Sequence, residues 1–245
     1  MLQQTQVPRA IPKYLQFLQA FPSPASCAAA PLGDVLRLWH GLGYPRRARN
    51  LHLAAGRVTE LGSFPDTLAG LLELPGVGQY TARAVLAFAF EADAAVVDTN
   101  IARVFARVDG QRLTPRRVQA LADAALPHGD PWLWNQSIMD LGATTCRPAN
   151  PACTDCPVQH LCSWSGVGDD PAIGSAGVSK RQGRFDGSER QARGRLMRAL
   201  QTAPVTVTGV AMVMQRDEAM SQRLLHDLVH EGLVMSDGVS IRLPE

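Results

Sequence analysis

The chain has 245 residues, a formal charge of +2, 46% hydrophobic and 19% charged residues, and five cysteines. That length holds one sizeable helical domain and a small second one, and the near-neutral balance excludes polyanion binding by bulk charge, so a nucleic-acid partner would have to meet a local basic face. No apolar run approaches the ~20 residues that span a bilayer, and residues 1–6 lack the charged start and apolar stretch of a secretory leader, so a protein without membrane association, resident in the cytoplasm, is expected.

Residues 1–164 read as a compact all-α domain. Leu51, Ala54, Ala55 and Val58 recur at helical spacing, as do Ala82, Val85, Leu86 and Ala89. Glycine and proline break the pattern at residues 41–45, 62–65, 75–78 and 127–131, which predicts short helices joined by tight turns. Strand-like alternation is scarce; residues 94–97 form a short apolar run leading into Asp98. Residues 165–187, rich in glycine, serine and aspartate without periodicity, are expected to be a flexible linker. In residues 188–245, Ser188 is placed to cap a helix carrying Ala192, Leu196, Ala199 and Leu200, and a second helix carries Leu224, Leu225, Leu228 and Val229. Residues 233–235 and 239–243 then alternate about Ser236-Asp237-Gly238, a hairpin signal. Helices followed by a hairpin suggest a small α/β winged-helix-like module, which either binds DNA or packs against a neighbour. Basic faces occur at Arg46-Arg47-Ala48-Arg49 and over residues 184–198; such runs are more often plain solvated surface.

Cys146-x6-Cys153-x2-Cys156-x5-Cys162 gathers four thiols in one short loop, a ligand set for iron–sulfur or zinc and a sign of a reducing compartment. Structural zinc sites usually pair two short knuckles, and here only Cys153 and Cys156 form one, so the spacing leans towards a [4Fe–4S] cluster. Upstream, Leu74-Pro75-Gly76-Val77-Gly78-Gln79-Tyr80-Thr81-Ala82 is a glycine-bearing hairpin that opens a well-patterned helix. Its glycines allow close backbone approach, and a helix start favours an anion such as phosphate; an ordinary tight turn is the competing reading.

The Leu-Pro-Gly-Val-Gly hairpin, then Val96-Val97-Asp98-Thr99-Asn100, then the cysteine array, resembles in content and order the helix–hairpin–helix DNA glycosylases that carry an iron–sulfur cluster. That superfamily includes endonuclease III and the adenine glycosylases of the MutY type. The resemblance covers residues 1–164 and implies a [4Fe–4S] cluster on Cys146, Cys153, Cys156 and Cys162. Endonuclease III-type enzymes carry at position 80 a lysine that forms a Schiff base with the sugar. Here it is Tyr80, and neither Lys13 nor Lys180, the two lysines of the chain, belongs to the motif. A monofunctional glycosylase without strand cleavage is therefore expected.

Met1-Leu2-Gln3-Gln4-Thr5-Gln6 resembles the adenine-specific branch, in which the second glutamine inserts into the duplex beside the mispair. Gly41-Leu42-Gly43-Tyr44 resembles its wedge loop, with Pro45 departing from the commoner tyrosine, and the stretch from Trp134 to Ala143 resembles the helix leading into the cluster loop. The resemblance makes Gln4, Thr5, Tyr44, Arg46, Gly76, Val77 and Gly78 DNA-contacting residues. A flipped adenine would lose its sugar bond while Asp98 stabilises the developing positive charge, Asn100 orients Asp98 and Tyr80 lines the pocket. Asp98 equally fits as N-cap of a helix from Thr99, and both roles are compatible. The expected partner is double-stranded DNA with adenine opposite 8-oxoguanine or guanine, bound by a monomer, nucleoid-associated in a bacterium.

Two departures follow from the same resemblance. The family's general acid is a glutamate just upstream of the Met-Leu-Gln-Gln-Thr stretch, which here starts at Met1, and the first acidic residue is Asp34. Either the chain continues upstream of Met1 or its excision is impaired; the first is favoured, because a domain without its first helix exposes a core face. The second departure is the tail, about 58 residues from Ser188, too short and too helical for the β-rich domain with which many adenine glycosylases recognise 8-oxoguanine. An endonuclease III-type enzyme for oxidised pyrimidines and a non-catalytic DNA-binding iron–sulfur protein are the alternatives.

Overall fold

A computed structural model describes residues 1–2, 5–178 and 183–245. Among them, nine helices precede the cysteine loop: α1 (Val7–Ala20), α2 (Pro24–Ala29), α3 (Leu32–Trp39), α4 (Arg46–Leu61), α5 (Leu68–Leu72), α6 (Gln79–Ala89), α7 (Thr99–Asp109), α8 (Pro115–Ala125) and α9 (Pro131–Thr144). Beyond the loop come α10 (Glu189–Ala199), β1 (Val205–Thr206), α11 (Val210–Met214), α12 (Glu218–His230), β2 (Met235–Ser236) and β3 (Ser240–Arg242). The boundaries follow local chemistry. Proline opens α2, α8 and α9, where its missing N–H costs nothing, and the Ser23 and Thr114 side chains cap the first two. Left-handed Gly62 and Gly110 end α4 and α7. No helix among the described residues is long and apolar enough to cross a membrane.

The chain divides into two units, and the division differs from the expected 1–164, 165–187 and 188–245. One unit joins Met1–Phe64 and Leu74–Gly76 to Gln182–Glu245; the other comprises Pro65–Glu73 and Val77–Arg181. In the first unit, Phe17, Val35, Leu36 and Trp39 share one apolar core with Leu196, Met214, Leu224, Leu228, Leu233 and Ile241. The tail has the helix–strand–helix–helix–hairpin order of a winged helix, with an antiparallel sheet ordered β1-β3-β2 and Met235 opposite Arg242. So short a segment buries too little on its own, and completing a core with the front of the chain supplies the missing area. Packing against a neighbour, one of the two roles expected for the module, is observed. The two-residue β1 left no alternation to read. α1 turns Ala10 and Phe17 to the core and keeps a second apolar face of Val7, Ile11, Leu15 and Leu18 exposed.

In the second unit α7 packs on α8 and α9, with Ala102 and Ala106 fully buried. The expected linker is, over residues 169–178, a packed strap rather than a flexible tether. Asp170 pairs with Arg107, Ala172 is buried, the Leu113 N–H donates to Ser175 Oγ at 3.0 Å, and the Ala176 N–H donates to the Leu113 carbonyl at 2.9 Å. Gly177, at φ 80°, lies where a Cβ would come within 2.9 Å of Ala102. Polar composition hid this because the strap is held by hydrogen bonds and small side chains, not by apolar periodicity. Residues 179–182, Lys180 among them, lie outside the described residues.

Candidate active site

Asp98 stands at the end of the extended run 94–97, which pairs with no strand. Side chains take the ladder's place. Asn135 of α9, buried, accepts the Val96 N–H at 2.8 Å and donates to the carbonyls of Ala94 and Pro131 at 3.0 and 2.7 Å. Gln119 and Arg83 donate to the Ala95 carbonyl at 3.1 and 3.4 Å. Every buried backbone group needs such a partner, and here the partners also fix where the run delivers Asp98.

Asp98 is the N-cap of α7, as one of its two expected roles required. Its Oδ1 accepts the Ile101 N–H at 2.7 Å and its Oδ2 accepts from Asn100 Nδ2 at 3.1 Å. Both oxygens are thus held, at a helix start that favours negative charge. Tyr80, in the first turn of α6, is half-exposed; burial first, and the charge of Asp98 second, push its phenol above the usual value, so the two share one electrostatic neighbourhood. The expected trio of Tyr80, Asp98 and Asn100 comes together.

Arg103, which sequence reasoning passed over, extends this trio. Its Nη2 donates to Asn100 Oδ1 at 2.8 Å and to the Gly142 carbonyl at 2.5 Å, and its Nε donates to the Cys146 carbonyl at 2.7 Å. The chain Asp98–Asn100–Arg103–Cys146 therefore runs unbroken from the carboxylate to the first cysteine. One turn on, Arg107 donates to Cys146 Sγ at 3.2 Å, lies 4.6 Å over the Trp164 ring and pairs with Asp170 at 2.6 Å. Burial pushes its guanidinium down, but these partners outweigh that and leave it raised. Nothing in the sequence distinguishes either arginine from a solvated helix face; two arginines four residues apart on one helix carry no such signal.

Cys146, Cys153, Cys156 and Cys162 all line one cavity, with Arg107, Trp164 and Ser165, enclosing about 300 Å³ of atom-free space, part of it open. A guanidinium at Cys146 and the Ser165 N–H, 3.3 Å from Cys162 Sγ, offer positive poles to thiolates. Burial, then the neighbouring thiols of Cys146 and Cys162, push the Cys153 thiol up. Among the described residues no three of His, Cys, Asp or Glu form a single-ion site. Four thiols lining one cavity are a donor set that fits a cysteine-ligated metal group.

The hairpin between α5 and α6 turns at Gly76, with φ 76°, where a Cβ would fall 2.4 Å from Asn50 Nδ2; only glycine fits. Gly76 and Gly78 are exposed and Val77 is half-buried, and Gly78 caps α6 without a side chain. In the first unit, Arg47, not among the expected contacts, joins two residues that are: its Nη2 lies 3.4 Å from Thr5 Oγ1, and its guanidinium lies 5.6 Å over the Tyr44 ring. Arg46 pairs with Glu231 at 2.5 Å, its side chain still 67% exposed. Gln4 lies outside the described residues.

The sequence matches the family model for the HhH-GPD superfamily base excision DNA repair protein over residues 1–128. It is 38% identical over 244 residues to the adenine DNA glycosylase of Mycolicibacterium smegmatis, an alignment covering 96% of this chain and 81% of that protein. Its fold is similar to a thermostable thymine-DNA glycosylase, with TM-score 0.64 and 29% identity over 67% of this chain and 80% of that one. A non-covalent endonuclease III–DNA complex gives TM-score 0.60 and 25% identity over 66% of this chain and 78% of that one. By its hairpin, its carboxylate-capped helix and these relatives, the chain belongs to the HhH-GPD superfamily of base excision DNA repair proteins, in its adenine DNA glycosylase family.

Proposed function

We propose that the protein is a monofunctional glycosylase that hydrolyses the N-glycosidic bond of adenine opposite 8-oxoguanine or guanine in double-stranded DNA, acting as a monomer on chromosomal DNA in the reducing cytoplasm. The observation that carries this reading is Asp98, a carboxylate with both oxygens fixed, beside a tyrosine where a lyase would hold lysine. As the bond breaks, positive charge develops on the sugar, and a carboxylate that need not reorganise stabilises it from the outset. Gln4, Thr5 and Tyr44 fill the space left by the flipped base and offset part of its unstacking, while Gly76, Val77 and Gly78 let backbone amides approach phosphate. Arg46, its side chain 67% exposed, is a further contact for phosphate in this reading.

Departing adenine also needs a proton from a general acid.

In the same reading Cys146, Cys153, Cys156 and Cys162 hold a [4Fe–4S] cluster that cross-links the loop, with Arg107 balancing the thiolate charge. Absorbance near 400 nm with matching iron is expected, and stoichiometric zinc in anaerobically purified protein would overturn the assignment. The decisive test of activity is Asp98→Asn. Single-turnover adenine release is expected to fall by about a thousandfold while duplex binding persists, with no strand break before alkali. Undiminished release, or release of oxidised pyrimidines in place of adenine, would defeat the reading.

A further inference from the structure

The loop of residues 41–44 is held in a demanding shape. Gly41 and Gly43 have φ of 91° and 72°, and Tyr44, which carries a Cβ, sits at φ 49°. Such backbone persists where its surroundings over-determine it. Arg47 supplies much of that constraint: its Nη2 donates to the carbonyls of Leu42 and Gly43 at 2.8 and 3.2 Å, and its guanidinium lies over the rings of Trp39 and Tyr44 at 5.3 and 5.6 Å. Arg47 projects from the first turn of α4, an end that no side chain caps.

The tail also reaches that first turn. The side chain of Glu231, just past α12, is 6% exposed; it accepts from Arg46 of α4 at 2.5 Å and from Arg193 of α10 at 2.8 Å. The next residue, Gly232, at φ 63°, lies where a Cβ would come within 3.1 Å of Arg49 Nε. Arg46 and Arg49 are three residues apart on one helix face, so residues 231–232 lie along that face, bonded to it at Arg46 and close to it at Arg49, with Arg47 between them in sequence. A buried carboxylate between arginines contributes little stability beyond that of well-packed apolar side chains of equal volume. What it adds is direction.

We propose that Glu231 is a positioning residue for recognition of the mispair: by gripping the first turn of α4 through Arg46, it holds Arg47 and, through Arg47, keeps the Tyr44 loop in the shape that enters the duplex. The winged-helix-like tail thus serves DNA recognition without reading a base. This rests on the adenine glycosylase reading, with Tyr44 as wedge.

The test uses Arg46→Met and Glu231→Gln in the whole protein, at a temperature where circular dichroism shows both fully folded. Fluorescence of 2-aminopurine placed beside 8-oxoguanine, opposite a non-cleavable adenine analogue, reports unstacking at the wedge. Both variants are expected to lose most of the enhancement and to release adenine about tenfold more slowly, and adding Tyr44→Ala should cause no further loss, because the effect passes through that ring. If Arg46 merely bound phosphate, Glu231→Gln would free it and tighten binding, and losses would add to those of Tyr44→Ala; either result, or wild-type fluorescence in both variants, overturns the inference. The fluorescence needs only duplex binding, so it decides the matter even if the wild-type protein releases no adenine, a failure that would count against the activity alone.

Discussion

Asp98 caps α7 and, on the reading above, also faces the reacting sugar, and the two duties can be separated by choice of substituent. Asparagine also caps well, so Asp98→Asn should melt close to wild type while excision collapses; alanine loses the cap as well and should cost about 1 kcal/mol of stability. Thermal unfolding of the pair distinguishes the roles. Arg103 is the partner that makes Asp98 a fixed charge, because it holds Asn100 by the oxygen and so turns the amide nitrogen towards Asp98. Arg103→Met strands the Gly142 carbonyl and the Asn100 oxygen and leaves the Cys146 carbonyl only its bond from Arg107, and is expected to destabilise the fold by about 3 kcal/mol or more. Adenine release should fall further than the unfolded fraction explains, as single-turnover rates at a fully folding temperature would show. Tyr80, Asp98 and Asn100 were legible because their residue types and spacing resemble a known motif. Arg103 and Arg107 were not, since an arginine's partners lie about forty residues away in sequence and become visible only as contacts.

At the scale of elements, the site is built by α7 and α9 packed face to face, and Gly142 is what lets them approach. Replacing glycine by alanine inside a helix ordinarily stabilises it by about 1 kcal/mol. Here a Cβ would stand 2.6 Å from Asn100 Cβ and 3.1 Å from its backbone, atoms that cannot swing aside. Gly142→Ala should therefore destabilise by about 1–3 kcal/mol, measurable as a lower urea midpoint, and should disturb excision because Asn100 is displaced. The extended run 94–97 makes the same point. Its apolar residues suggested burial, and Ala94, Ala95 and Val96 are buried, but its backbone is satisfied by Asn135 and Gln119 instead of a neighbouring strand. The stretch from Trp134 to Ala143 stood out in the sequence as a whole; that one asparagine within it organises the approach to Asp98 did not.

Over the whole molecule, the tail's attachment gives a pH signature. Burial works to raise Glu231, yet hydrogen bonds from Arg193 and Arg46 outweigh it and bring the carboxyl from 4.5 down to about 2. A depressed carboxylate contributes stability above the unfolded value and loses it as pH falls through the folded one, so this contribution is complete above 4.5 and fades towards about 2. Urea midpoints of wild type and Glu231→Gln should differ at neutral pH and converge in acid; a constant gap would show that the carboxylate's charge adds nothing to the apolar core that holds the tail. What the sequence by itself determined were the properties that nearby residues encode: helices and their caps, the glycine turn, the hairpin at Asp237-Gly238, the four thiols and the lysine-free motif, because periodicity, φ demands and motif spacing are local. The tertiary structure alone decided that residues 182–245 complete the core of residues 1–64, that residues 169–178 are a strap, and that the cysteines reach Asp98 through Arg103. Those depend on which surfaces meet, and small side chains, single hydrogen bonds and isolated arginines leave no periodic mark in a chain before it folds.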